Sequence, residues 1–180
     1  TLEKFYRITG KSNQYSGITP DIEIPLLFNK QMPREDSNKT ALPNDEISVI
    51  VKYNRLNDTK KEQVIALSQK RIAESKVANE IIALNAKINP LYDNDLPPIL
   101  LQFDKVFEDV SKINTLWKEI KLTMEKEHDL RVEQNSIDIE NQQFDDYLKS
   151  FNTERIKDIK QNYHIFEAVN ILSDIKNIKP

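Results

Sequence analysis

At 180 residues the chain is long enough to bury a core of its own, and 26 basic against 29 acidic residues leave a net charge of -3, with no broad basic field for nucleic acid or anionic lipid. Cysteine is absent, which excludes disulfides, thiolate metal sites and cysteine nucleophiles, while the 2 glycines, Gly10 and Gly17, sit too early for any later segment to form a glycine-rich phosphate loop. Contents of 31% charged and 38% hydrophobic residues, with a mean hydropathy of -0.61, describe a charged surface over an adequate apolar supply, and no apolar run approaches the roughly 20 residues that span a bilayer.

Residues 2–8 are aromatic and β-branched with partial alternation, and turn-forming residues fill the stretch from Gly10 to Gly17. Ile18, Ile22 and Ile24 then alternate with polar residues up to Pro25, and Pro20 and Pro25 favour an edge strand or the end of one. Together these predict a β-ribbon over residues 1–27 that needs a sheet elsewhere, because an isolated two-stranded ribbon is marginal in water. Residues 28–58 mix Pro33, Asn38 and Pro43 with charges and show no period, which reads as a strap or linker.

A helical region is expected over residues 59–180. Thr59-Lys60-Lys61-Glu62 has capping-box spacing, and Val64, Leu67, Ile72, Ile81, Leu84 and Ile88 continue a helix that ends before Pro90, with a break into two pieces expected near residues 74–76. After a loop at residues 93–98, Ile99-Leu100-Leu101 reads as a short strand. Val106, Val110, Ile113, Trp117, Ile120 and Met124, spaced 4-3-4-3-4, form the clearest periodic signal and predict a narrow seam packed on another helix, within the chain or across a homodimer. Ile137 and Ile139 suggest a short strand, Phe144, Tyr147, Leu148 and Phe151 resume helical spacing, and Asn162 caps a last helix with Ile165, Phe166, Val169 and Leu172 facing inward. The fold class expected is mainly α with a small β portion (α+β).

No constellation announces chemistry. His128 and His164 lie far apart and away from other ligand types at metal spacing, so each reads as a surface or edge-of-core imidazole. Asp145-Asp146 reads as helix-terminal charge rather than an acid-base pair. The serines, Ser68 and Ser75 among them, have no Gly-x-Ser-x-Gly elbow or Ser-x-x-Lys motif around them, and Lys60-Lys61 and Lys70-Arg71 are interleaved with acids as on a solvated face. The expectation is therefore of no catalytic, cofactor-binding or metal-binding residue, and of neither nucleic acid nor membrane as partner.

One resemblance gives this a context. The stretch Thr1-Leu2-Glu3-Lys4-Phe5-Tyr6-Arg7-Ile8-Thr9-Gly10-Lys11-Ser12-Asn13-Gln14, followed by Gly17-Ile18-Thr19-Pro20-Asp21-Ile22, resembles the end of the catalytic domain of carboxy-terminal processing serine proteases. The continuation through Pro25 and then Ala41-Leu42-Pro43 resembles the tail-specific branch of that family, which appends a helical C-terminal domain. The resemblance implies that the β-ribbon of residues 1–27 ends the protease sheet and that a serine nucleophile and a lysine base lie upstream of Thr1, so that no catalytic residue carries over to this chain. It also implies a parent that cleaves proteins near exposed C-termini, protein substrates or an adaptor as partners, and a periplasmic compartment. The start at Thr1, with neither an initiator Met nor a signal-peptide h-region, agrees with a processed or truncated chain. A free-standing helical adaptor or scaffold is the alternative.

Overall fold

The computed structural model describes residues 3–49, 51–54, 60–92 and 100–178. Among them are six α-helices: α1 (Lys61–Glu74), α2 (Lys76–Ile88), α3 (Phe103–Met124), α4 (Ser136–Gln142), α5 (Asp146–Gln161) and α6 (Tyr163–Asn177). The break between α1 and α2 falls at Ser75, an extended residue whose N–H closes α1 on the Ile72 carbonyl and whose hydroxyl accepts the Ala78 N–H that opens α2. One small polar residue therefore ends one helix and starts the next, as a hydroxyl able to satisfy orphan backbone donors allows. The chain leaves α2 through a 3-10 turn at Asn89–Tyr92 that accommodates Pro90.

The core is organised around α2. Ala78, Ile81, Leu84 and Ile88 recur at helical spacing on its inner face and are buried with Ile120 of α3 and Tyr163 of α6, while Ile72, Val77, Leu116 and Phe166 pack around them. Each fully buried aliphatic side chain contributes about 1.5–3 kcal/mol over leaving it in water, which makes this cluster the main stabilising contact of the helical part. α1 packs on α6, α2 on α3, and α5 on α4 and α6.

Where the expected ribbon gives way to the strap, the chain enters this core. Leu27 is only 7% exposed and belongs to the α2 cluster. On either side of it the Asn85 side chain makes a two-way clamp, accepting the Phe28 N–H at 2.9 Å and donating to the Leu26 carbonyl at 2.8 Å. Phe28 takes a left-handed backbone conformation (φ 59°) and its ring lies 5.8 Å from that of Trp117. Gln31 adds a bond to the Asn89 side chain at 3.1 Å.

Several expectations need correction. The β-ribbon of residues 1–27 does not form: the described residues contain two isolated antiparallel bridges, Tyr6 with Ser12 and Lys11 with Glu46, and no sheet, so the α+β assignment gives way to a helical architecture. The reason lies in the partner. Residues 7–11 close a turn on themselves, Gly10 N–H to the Arg7 carbonyl (2.8 Å), and residues 10–12 pair with residues 45–47, through Ser12 N–H to the Asp45 carbonyl (3.0 Å) and Ile47 N–H to the Gly10 carbonyl (2.9 Å). Gly10 (φ 85°) is required there, since a Cβ would sit 2.3 Å from the Ile47 carbonyl oxygen. Residues 18–25 run irregular, and Leu100 and Leu101 form no strand. Ile137 and Ile139 sit in α4, where the Asn135 side chain caps the Asp138 N–H. The inward face of α6 carries Tyr163, Phe166 and Glu167, with Ile165, Val169 and Leu172 exposed. The Thr59 capping box, the 93–98 loop and Ile99 lie outside the described residues.

The α3 seam is little used. Of its six residues only Ile120 is buried, while Val106, Val110, Ile113, Trp117 and Met124 are exposed; Leu116 and Thr123, which lie outside that spacing, pack inward beside Ile120. Lengths explain this: the 22 residues of α3 extend about 33 Å, whereas the 13 residues of α2 reach about 20 Å. α2 therefore covers the C-terminal half of α3 and leaves the first turns without a helical neighbour of matching length.

Candidate functional site

A buried polar cluster joins α1 to α6. Glu167 faces inward from α6 at 1% exposure, one turn beyond Tyr163, and receives the Ser68 hydroxyl at 2.6 Å together with the Arg71 guanidinium, whose Nη2 lies 2.7 Å away. Arg71 Nε contributes two longer bonds at 3.2 Å, and Nη1 reaches Asp174 at 2.7 Å. Ser68 and Arg71 are one helical turn apart on α1, and Glu167 and Asp174 two turns apart on α6, so two short stripes meet across the interface.

The Glu167 bonds raise the Arg71 pKa above its ordinary value. Glu167 Oε1 takes the Ser68 hydroxyl and the Arg71 guanidinium and Oε2 a longer bond from Arg71 Nε, and Ser68 spends its proton on that carboxylate. Chemically this suits a lock between helices better than an acid, a base or a nucleophile, because a general base needs a free lone pair aimed at a substrate proton.

Next to the lock, His128 lies on the aromatic side of α6, its ring stacked on Phe166 at 5.0 Å and tilted against Tyr163 at 5.6 Å. Its backbone N–H donates to the Lys160 carbonyl at 2.8 Å, tying the segment after α3 to the end of α5. Burial holds the His128 imidazole below its usual pKa and pushes the Tyr163 phenol up. His128 is thus an edge-of-core imidazole. His164, next to Tyr163 at the start of α6, lines a cavity together with Tyr163, Val77 and Ile81 that His128 does not line, and the two histidines are not brought together as ligands. Among the described residues no three His, Asp or Glu side chains gather as a metal site.

The remaining candidates take up structural posts. Asp145 caps α5 by accepting the Tyr147 and Leu148 N–H groups, the helix-terminal role read from sequence. Near the N-terminus, Asp45 receives Lys4 at 3.0 Å and the Tyr6 hydroxyl at 3.1 Å, and the Lys4 bond holds its carboxyl below the ordinary range. The Glu167 cluster itself was missed. Its signal was present as an acid one turn after an inward Tyr163 and as Ser68 and Arg71 at i and i+3, but single polar residues inside an apolar stripe read as interruptions until their partners are known.

Apolar side chains also crowd two outer faces. The start of α3 exposes Phe103 (83%), Phe107 and Val110, next to Leu101 (92%), and the start of α5 exposes Tyr147 and Phe151, next to Phe144 (89%). The rings of Phe103 and Phe107 stack at 6.3 Å, and those of Tyr147 and Phe151 at 6.5 Å. Contiguous exposed aromatic area of this kind marks contact surfaces in folded proteins. No helix among the described residues is long and apolar enough to cross a membrane.

Comparison with known proteins adds one relation. The chain is 30% identical over 90 residues to the tail-specific protease of Haemophilus influenzae. That match takes in 49% of this chain and 13% of the relative's length, so the chain spans about an eighth of that protein. The match supports a distant relationship to a tail-specific protease. No protein-family model matches the chain, and no solved structure matches it.

Proposed function

We propose that this chain is a helical, non-catalytic region of a tail-specific serine protease that acts near exposed C-termini, and that it contributes contact surface and rigidity rather than reacting groups. The observation that carries the reading is the 30% identity over 90 residues to a tail-specific protease. The motif Gly10-Lys11-Ser12-Asn13-Gln14 followed by Gly17-Ile18-Thr19-Pro20-Asp21-Ile22 supports it, as does the occupation of Ser68 and Glu167 by one another. In this reading the parent supplies a serine nucleophile and a lysine whose pKa is lowered by burial, both upstream of Thr1, and works in the periplasm. The aromatic faces of α3 and α5 are where the region meets the protease body, a substrate or an adaptor.

The reading is tested by removing residues 60–178 from the full-length polypeptide and following cleavage of one folded and one unfolded substrate that share the same exposed tail. Altered preference between the two, or a lowered melting temperature of the parent, is expected. Unchanged cleavage of both substrates with unchanged stability contradicts it.

A further inference from the structure

None of the 16 residues of α5 is buried, so its apolar side chains are left without cover by the rest of the chain. Tyr147, Phe151, Glu154 and Asp158 follow one another at spacings of 4, 3 and 4, which puts two aromatic rings and then two carboxylates on one stripe about 16 Å long. The stripe ends at a cavity of about 410 Å³. Asp158 and, from the end of α3, Glu125 line it above Leu27, Val77, Ile81 and Met124. Among the described residues no lysine or arginine lines that cavity. Glu154 pairs with Lys157 at 3.5 Å, but at the surface, where such pairs hold weakly. Around the aromatic end of the stripe, residues 132–148 include Glu133, Asp138, Glu140, Asp145 and Asp146 and no lysine or arginine. An apolar surface set in a field of one sign favours a partner that carries the opposite sign beside its own apolar groups.

We propose that this stripe and the cavity at its end dock a basic amphipathic helix of a partner protein. Its apolar side chains lie against Tyr147 and Phe151, a lysine or arginine sits between Glu154 and Asp158, and a further apolar side chain enters the cavity. About three helical turns span the stripe, and anchors that recur at one-turn intervals on a helix match its spacing. The same acidic surroundings repel nucleic acid and anionic lipid. The inference rests on the reading of α5 as a contact surface and adds the chemistry of what it contacts; its test involves no cleavage, so its failure leaves the relation to a protease untouched.

The test uses the 180-residue chain and two fluorescein-labelled amphipathic peptides of about 15 residues with the same leucine pattern, one with lysine and one with glutamate at every polar position. Anisotropy titrations are expected to show binding of the lysine peptide and none of the glutamate peptide. Asp158→Lys and Phe151→Ser should each weaken binding of the lysine peptide by about tenfold or more, with helicity by circular dichroism unchanged. Glu46→Lys makes the same change in net charge on the N-terminal segment and should weaken binding by less than about twofold. Asp158→Lys places a base in the last turn of α5, which the helix dipole favours, so this variant carries the test even if Phe151→Ser unfolds the helix. Binding of neither peptide, equal binding of both, or equal weakening by Asp158→Lys and Glu46→Lys overturns the proposal.

Discussion

Replacing Arg71 by Leu probes the strongest single tie between the first and last helices. The substitution keeps most of the aliphatic stem but removes every charged bond to Glu167, which is 1% exposed and retains only the Ser68 hydroxyl. Removing one partner of a buried pair costs about 3–5 kcal/mol, because the other charge stays desolvated without compensation. Arg71's own side chain is about a third exposed, so water can reach its end of the pair, and a loss of about 2–4 kcal/mol is expected. Ser68→Ala removes a single hydroxyl bond to a charged acceptor and should cost about 1.5–3 kcal/mol. The decisive comparison is the double variant Arg71→Leu, Glu167→Leu. It leaves no orphaned charge on Glu167 and should be less destabilised than the sum of the two single variants by about 1–3 kcal/mol. Urea unfolding followed at 222 nm measures the native chain and the four variants, with an unchanged slope confirming that the folded state alone has moved. Losses below about 0.5 kcal/mol for Arg71→Leu, or strict additivity in the cycle, would refute the assignment of these residues as a buried lock.

Burial holds the His128 imidazole below its ordinary pKa of 6.5, so the unfolded chain takes up the proton first; this part of the stability is intact above about pH 6.5 and lost as pH falls below it. His128→Phe should flatten that slope between pH 7 and 5, and an unchanged slope would show that the imidazole is not its source. Ile88→Ala, at a fully buried position of α2, is expected to lose about 2–5 kcal/mol in the same urea assay. Asn162→Ala, which removes the side-chain acceptor for the Ile165 N–H, should lose about 0.5–2 kcal/mol. Phe103→Ser and Phe107→Ser, by contrast, should stay within about 0.5 kcal/mol of the native chain and improve its solubility, since neither ring belongs to the core.

The parts of the fold that were legible in the sequence are those set locally. The break at Ser75, the end of α2 before Pro90 and the Asn162 cap each depend on a residue's own backbone chemistry and its immediate neighbours, and each falls where the sequence places it. What depends on distant partners was not legible. The expected strands at residues 2–8 and 18–25 form no ladder with each other; Tyr6 bridges Ser12 and residues 10–12, read as loop, pair with residues 45–47, a choice that nothing local announces. The alternation of Ile137 and Ile139 fits a strand over three residues, yet the Asn135 cap commits the segment to a helix. On α6 the apolar residues suggested one inward face, but the Arg71 and Ser68 partners on α1 draw Glu167 inward and turn Val169 and Leu172 out. The α3 seam was misplaced as well as overextended, since the face that meets the core carries Leu116, Ile120 and Thr123: sequence period reports which residues share a stripe and not which flank of it, or how much of its length, a neighbouring helix covers.

The aromatic faces of α3 and α5 give the helical region a surface out of proportion to what the chain itself covers, which fits a part working within a larger assembly. The most direct test of that account is a tail-cleavage assay run side by side on the purified 180-residue chain and on the native polypeptide that carries it, using an unfolded substrate with an exposed C-terminus. The account predicts turnover by the native polypeptide, sensitive to serine-directed inhibitors, and none by the 180-residue chain. Turnover by the chain alone, or a native polypeptide that cleaves no tail, would contradict it.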